Sequence, residues 1–340
     1  MDIKIEEDRE RVIGCRELNR YVEQGSNSHQ ETRIAPDSFF NELPSIYGKE
    51  ISERYNYLQK TLTEKLGGPF FSDEGFIIYN GDCVDLLKRL STTDLRFDLT
   101  ITSPPYNIGK EYEEPKPLKE FIDWCSTWME LIYKLTKANG SFWLNVGYFE
   151  VEGKGLCVPI PYLLWDKSSF YMLQEVVWKY GAGVQTRRQL SPRNEKWIFY
   201  VMDRLNYTFN LDEIRDPNVK YPHQKKNGKF RCNPLGKNPS DVWEFPKVTT
   251  GKQRSSKERT GHPAQFPLGI VERIIRSSSN PTEFILDPFL GSGSAGICAS
   301  SFGRPFVGFE LRPDYCEIAV NRYLNFKRQK KSFLKQEILF

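Results

Sequence analysis

The chain has 340 residues, 48 Lys and Arg against 44 Asp and Glu, and 39% hydrophobic residues, the composition of a soluble protein with one large or two moderate domains. No stretch approaches the roughly 18 apolar residues of a membrane span, and the charged residues 1–11 lack a signal-peptide core, so a cytoplasmic protein without membrane contact is expected. Seven scattered cysteines with no C-x-x-C pair and only three histidines (His29, His223, His262) signal neither a disulfide framework nor a metal site.

The net charge of +4 is unevenly spread. Residues 181–260 carry 17 Lys and Arg against 8 Asp and Glu, a net +9 that leaves the remainder at −5. One basic segment in an acidic remainder implies a polyanion-binding surface, the alternative being an exposed lysine-rich loop.

Residues 1–67 are polar and charged and read as an N-terminal extension with one or two helices, one of them Glu50 to Leu66. The run Gly75 to Tyr79 is a short apolar strand closed by Asn80-Gly81-Asp82, and Val84 to Leu90 opens a helix. A second strand follows at Leu99 to Thr102. Leu118 to Lys137 places Phe121, Trp124, Trp128, Leu131 and Leu135 at helical spacing and ends at Asn139-Gly140. Ser141 to Val146, Gln174 to Tyr180 and Lys196 to Met202 are further strands. This alternation predicts an α/β sheet with helices on its faces. From Asp203 to Thr260 the periodicity vanishes, and a structureless loop of that length is improbable in a compact domain, so 203–260 is read as a small inserted subdomain. Regular structure resumes with the helix Phe266 to Arg276, the strand Phe284 to Asp287, a glycine-rich turn with its helix, the strand Phe306 to Glu310 and the helix Pro313 to Phe326. The basic run Lys327 to Lys331 in the tail 327–340 reads as a solvated end.

Two motifs carry chemistry. In Asp287-Pro-Phe289-Leu-Gly291-Ser-Gly293-Ser-Ala-Gly296 the three glycines form G-x-G-x-x-G between a strand and a helix. The glycines let backbone approach a ligand, and the helix N-terminus favours an anionic group. Glu310, at the end of the next strand, is placed to accept hydrogen bonds from ribose hydroxyls. Together they signal an adenosine-containing cofactor, without saying which. The second motif, Ser103-Pro104-Pro105-Tyr106, follows the strand Leu99 to Thr102 directly. Two prolines fix φ and remove two backbone donors, leaving acceptors and an aromatic ring. An exocyclic base amine needs that environment: the Ser103 hydroxyl and the Pro104 carbonyl can hold its two hydrogens and free its lone pair to attack a sulfonium methyl. Tyr106 can stack on an extruded base, which is worth about 1–3 kcal/mol.

With both motifs in this order, and the basic stretch between them, the chain resembles the amino-methyltransferases of the restriction–modification type, in the permuted arrangement called the β group. The resemblance runs from Gly75 to Tyr323. It implies a doubly wound, mostly parallel, Rossmann-like methyltransferase sheet, with a catalytic domain over 68–202 and 261–326 and target recognition within 203–260. It implies S-adenosyl-L-methionine as cofactor, with Asp287, Phe289, Gly291 and Gly293 around the methionine and ribose, Glu310 on the ribose hydroxyls, Asp82 at the adenine ring, and His262-Pro263 closing over the methionine end. Double-stranded DNA is the implied partner. A paired restriction endonuclease is an analogy only, and the chain is expected as monomer or homodimer.

Ser-Pro-Pro-Tyr tends to accompany cytosine N4 methylation in this family, and Asp-Pro-Pro-Tyr adenine N6 methylation. Cytosine N4 is therefore the expected target and adenine N6 the alternative. Carbon-5 chemistry would need a Pro-Cys nucleophile, which the sequence lacks. A nicotinamide-dependent oxidoreductase would use the same glycine turn but leave the diproline motif unexplained. A non-catalytic DNA-binding module would not need that turn, and an RNA or protein-amide methyltransferase stays open. For DNA, Lys225, Lys226 and Arg231 in the recognition segment can read bases, while Arg187, Arg188 and Arg193 can contact phosphates.

Overall fold

The structure, a computed structural model, describes residues 48–337 apart from 112, 182–185 and 250–255. The part of the expected N-terminal extension before residue 48, and the last three residues of the tail, lie outside the described residues.

Helix α1 (Gly48–Leu66) seats Leu58, Leu62 and Leu66, one turn apart, in the core. Each fully buried leucine contributes about 1.5–3 kcal/mol. A hairpin follows, β1 (Phe71–Asp73) and β2 (Phe76–Asn80), then α2 (Cys83–Leu90), β3 (Phe97–Thr102), α3 (Leu118–Lys134) and β4 (Thr136–Val146). Strand β4 begins five residues before the expected Ser141, because Phe97 already pairs with Thr136 ahead of a register shift. A second hairpin, β5 (Tyr148–Val151) with β6 (Gly155–Pro159), and the short α4 (Pro161–Leu164) lead to β7 (Tyr171–Lys179) and β8 (Asn194–Val201). The basic segment holds a small hairpin, β9 (Lys225–Lys226) with β10 (Lys229–Phe230), and then β11 (Val242–Glu244). The chain finishes with α5 (Leu268–Ser278), β12 (Ile285–Asp287), α6 (Ser294–Ser301), β13 (Phe306–Glu310) and α7 (Pro313–Glu337).

Nine strands form one sheet in the order β1-β2-β13-β12-β3-β4-β8-β7-β11. Strands β2, β13, β12, β3 and β4 are mutually parallel, while β8 runs against both its neighbours. All six residues of β3 are buried, as are the first four of β2 and of β13. Such unbroken apolar runs belong to strands covered on both faces. On one face Leu87 and Leu90 of α2, and Trp128 and Ile132 of α3, join α1. On the other, Ile270 and Ile274 of α5, Cys298 of α6 and Ala319 of α7 pack around Trp143, Trp197 and Phe199.

The late strands β12 and β13 sit between β2 and β3. The sheet thereby closes the gap of nearly two hundred residues between the two motifs: the loops after Asn80, Glu310, Asp287, Thr102 and Val146 all leave the carboxyl end of five adjacent parallel strands, where α/β sheets bind ligands.

The segment 203–260 is anchored to this sheet at both ends. Tyr207 and Phe209 pack on Phe199, and Asn210 bonds to the Ser277 and Ser279 carbonyls at the end of α5. Strand β11 pairs with β7, with Trp243 level with Trp178. Between these anchors, residues 221–231 are exposed throughout. The expected solvated tail differs as well: α7 continues past Phe326, and Lys327 pairs with Asp73 at 2.6 Å and Glu74 at 3.1 Å. Those acidic residues cap the β1–β2 hairpin, so Lys327 pins the terminal helix to it.

Candidate active site

The glycine-rich turn leaves β12 at Asp287 and enters α6 through two residues of left-handed backbone, Gly291 (φ +51°) and Gly293 (φ +76°), a conformation that carries no penalty for glycine. A Cβ on Gly291 would lie 3.0 Å from His262 Nε2. Gly296 serves packing instead, since a Cβ there would meet the Phe76 and Phe306 rings at 2.4 and 2.6 Å. Glu310 braces the turn: its Oε2 accepts the Gly291 N–H and its Oε1 the Arg312 N–H, both at 2.9 Å. Its backbone carbonyl takes the Gly81 N–H and the Asn80 side-chain amide, each at 2.9 Å. Asp82 lines the same space while its Oδ1 accepts from Val84 and Asp85 at 2.9 and 3.1 Å, capping α2.

Burial sets the charge states. The carboxyl of Asp287 is pushed up to about 7 by complete burial, against the opposing pull of the Thr102 hydroxyl (2.6 Å) and the Phe289 N–H (3.1 Å). Burial also raises Glu310 above the usual carboxylate range. It lowers His262 to about 4, so the ring is neutral at physiological pH. His262 Nδ1 accepts the Ala264 N–H at 3.2 Å, which assigns the ring proton to Nε2, beside Gly291. The ring stands edge-on to Tyr315 at 4.4 Å.

Ser103 to Tyr106 leave the adjacent strand in irregular form. The Tyr106 hydroxyl donates to Asn145 Oδ1 at 2.6 Å, and Ser103 Oγ lies 3.1 Å from the Tyr106 oxygen and 3.5 Å from Asn145 Oδ1. Asn145 is buried and fixed in turn by donation from its Nδ2 to the Lys196 carbonyl at 3.0 Å. Gly147, two residues on, lets the Tyr106 ring lie against the backbone; a Cβ there would be 3.1 Å from Cε2. Beyond the motif, Asn107 adopts φ +62°, and the Glu113 carboxylate collects the N–H groups of Asn107 and Ile108 at 2.7 and 2.9 Å. These bonds set the exit direction of the tetrapeptide.

Both motifs line one cavity of about 520 Å³. Ser103, Pro104, Pro105 and Tyr106 form one part of its wall, and Asp82, His262, Pro263, Phe289, Gly291 and Glu310 another. Asp287 and Gly293 stand behind this lining. The six basic residues expected at DNA are elsewhere. Arg187 and Arg188 are exposed and Arg193 half-buried between β7 and β8, with an Arg193 guanidinium N–H on the Pro192 carbonyl at 2.9 Å. Lys225, Lys226 and Arg231 are exposed on the β9–β10 hairpin, whose turn uses positive φ at Asn227 and Gly228. Sequence reasoning missed Asn145, whose only signal was a polar residue directly after the apolar run Phe142 to Leu144. It also missed Trp124, Trp178, Tyr180, Glu195 and Lys247, which line the same cavity.

Comparison with known proteins accords with this geometry. A family model described as DNA methylase, covering N6 and N4 enzymes, matches residues 97–321. The type II methyltransferase M.ScaI of Streptomyces caespitosus is 58% identical over 275 residues, covering 81% of this chain and 88% of that protein. The DNA adenine methyltransferase YhdJ of Escherichia coli (strain K12) is 31% identical, covering 74% and 84%. The solved PvuII DNA methyltransferase (cytosine-N4-specific) has the same fold, with a TM-score of 0.54 at 17% identity over 76% of this chain and 92% of that one. The oxidoreductase and the non-catalytic readings are thereby set aside: the chain belongs to the N6/N4 DNA amino-methyltransferase family, and S-adenosyl-L-methionine is its cofactor.

Proposed function

We propose that the chain methylates the N4 amino group of cytosine in double-stranded DNA, at a specific sequence and on a base swung out of the duplex. The observation carrying this reading is that the glycine turn and the Ser103–Tyr106 tetrapeptide wall one cavity and are joined by the Thr102–Asp287 hydrogen bond.

The residues present fit the cofactor. Gly291 keeps open a cradle that a Cβ would fill, Phe289 and Trp124 offer apolar surface at 5.7 Å ring separation, and the acids of Asp82 and Glu310 on the lining, with the buried acid of Asp287 behind it, suit a ligand bearing a sulfonium and an ammonium. Glu310 Oε1 and Oε2 would take ribose hydroxyls beside their backbone donors, and His262-Pro263 would close the methionine end. When bound, the cofactor supplies an electrophilic methyl on a cationic sulfur that leaves as a neutral thioether.

The remaining work falls to the chain. Ser103 Oγ and the Pro104 carbonyl accept the two amine hydrogens, drawing the nitrogen toward tetrahedral geometry so that its lone pair is free to form the N–C bond. The proton shed by the methylated nitrogen leaves along the same acceptors. Tyr106 stacks on the base, with its ring orientation set by Asn145 and Gly147. Extruding the base costs a few kcal/mol, which stacking of this kind offsets in part.

A serine hydroxyl and a carbonyl can hold either amine; cytosine is preferred because Ser-Pro-Pro-Tyr tends to accompany cytosine N4 methylation in the family this chain resembles. A second reading, adenine N6, has the support of YhdJ, which is described as an adenine enzyme. Site selection is assigned to the exposed residues within 203–260, with Lys225, Lys226 and Arg231 at the DNA and Arg187, Arg188 and Arg193 on phosphates; a cognate restriction endonuclease is an associated expectation. Incubation with plasmid DNA and labelled S-adenosyl-L-methionine, followed by nucleoside mass spectrometry, tests the reading. N4-methylcytosine is expected; N6-methyladenine would replace the target base, and no methylated nucleoside would overturn the function.

A further inference from the structure

The same cavity holds a charged pair that the mechanism above leaves unused. Lys247 Nζ lies 2.8 Å from Glu195 Oε1, and its ammonium sits over the Tyr180 ring, 4.1 Å from the centroid. Trp178 is also near, at 5.9 Å. Lys247, Glu195, Tyr180 and Trp178 all line the cavity that holds Ser103 and Tyr106. The lysine is about a quarter exposed and the glutamate less, at 28% and 18%.

Sheet register places this pair beside the base-stacking tyrosine. Val146 pairs with Lys196, so Gly147 and Glu195 are the next positions on neighbouring strands, about 5 Å apart. Gly147 is the residue against which the Tyr106 ring lies. Glu195 is also level with Trp178 on β7. Strand β11 pairs with β7 as far as Glu244, so the chain leaving it carries Lys247 over that end of the sheet.

An ammonium has three donors. Glu195 takes one and Tyr180 occupies another direction, leaving donor capacity on a cation that lines the cavity. Burying a charged pair in a partly apolar wall is costly unless it meets a polar group. A cytosine gripped by its amine at Ser103 and Pro104 turns two acceptors, N3 and O2, toward the rest of the pocket. Adenine gripped the same way presents the acceptor N1 but, in place of O2, a C2–H that cannot accept.

We infer that Lys247, oriented by Glu195 and Tyr180, donates to the O2 edge of the extruded base and so selects cytosine over adenine. The inference rests on the cytosine reading above. A hydrogen bond to a charged donor corresponds to about 10–100-fold in discrimination.

The test uses the full-length protein and two duplexes: one carrying the methylated site, mapped first on plasmid DNA, and one with adenine replacing the target cytosine. Wild type is expected to form N4-methylcytosine on the first and to act at least 100-fold more slowly on the second. Lys247→Met should lower kcat/KM for cytosine about 10–100-fold with little change on adenine, so the preference shrinks. Lys247→Arg should recover part of the cytosine rate. The double variant Lys247→Met/Glu195→Gln, which leaves no unpaired charge, should show the same reduced preference with unchanged affinity for S-adenosyl-L-methionine. Equal losses on both duplexes, or a double variant with the wild-type preference, would overturn the assignment of Lys247. N6-methyladenine as the sole wild-type product would instead remove the cytosine reading, and this inference with it.

Discussion

Thr102 donates its hydroxyl hydrogen to Asp287 at 2.6 Å, and this one bond ties the strand that launches the Ser-Pro-Pro-Tyr motif to the strand that launches the glycine turn. The two residues are 185 positions apart yet end adjacent parallel strands. The separation and orientation of the two motifs are therefore set by the rigid sheet.

A pH dependence follows from the same acid. With Asp287 held near 7 in the folded chain and at 3.8 when unfolded, the folded state binds the extra proton, so this contribution to stability is full below 3.8 and is lost as pH rises through 7. His262 acts oppositely: lowered from 6.5 to about 4, it adds stability above 6.5 that is lost as pH falls toward 4. The melting temperature of the ligand-free protein should therefore decline between pH 6.5 and 8, where the Asp287 loss outweighs the closing part of the His262 gain. Affinity for the cationic cofactor should rise over the same interval. In Asp287→Asn both slopes should flatten, measured by scanning calorimetry and by titration with S-adenosyl-L-methionine.

The two outer glycines of G-x-G-x-x-G should fail differently. Gly291→Ala imposes left-handed backbone on alanine and a 3.0 Å approach to His262, a strain of about 1–3 kcal/mol sited in the cofactor cradle. Cofactor affinity should fall tenfold or more while the fold persists. Gly296→Ala instead drives a methyl into the Phe76 and Phe306 rings. That overpacking should cost about 1–3 kcal/mol or more of stability. Denaturant titration beside cofactor binding separates the two.

Asn145 Oδ1 faces both side-chain hydroxyls of the tetrapeptide. Asn145→Ala removes the acceptor of the Tyr106 hydroxyl, and kcat should drop about 10–100-fold with cofactor affinity nearly unchanged. Tyr106→Phe, which keeps the ring and loses only the hydroxyl, should cost less than Asn145→Ala, as single-turnover methylation of plasmid DNA would show.

Most of the sheet was legible in the sequence because its central strands are unbroken apolar runs between turn signals, as in Phe306 to Glu310. Strand β11 was not: three residues flanked by Pro239 and Pro246 carry no periodicity, and only pairing with β7 makes Val242 to Glu244 a strand. The motif residues were readable from local chemistry, since prolines and glycines act on their own backbone. Asn145, Glu195 and Lys247 were not, because what brings them to the cavity is pairing between strands distant in sequence.

Exposed charge on the β9–β10 hairpin should act through phosphates and base edges. Replacing Lys225, Lys226 and Arg231 by alanine should weaken DNA binding and reduce the log–log salt slope by up to about 3, with cofactor affinity unchanged. A slope equal to that of wild type would place the DNA on another surface.

The central claim, that Ser103 and Tyr106 hold the reacting base beside the cofactor cradle, is met most directly by methyl transfer to plasmid DNA in Ser103→Ala and Tyr106→Ala, with cofactor affinity measured on the same preparations. Transfer should fall about 100-fold or more while the dissociation constant for S-adenosyl-L-methionine stays within about threefold, consistent with losing interactions made to the transition state. Transfer near the wild-type rate in both variants would contradict the account.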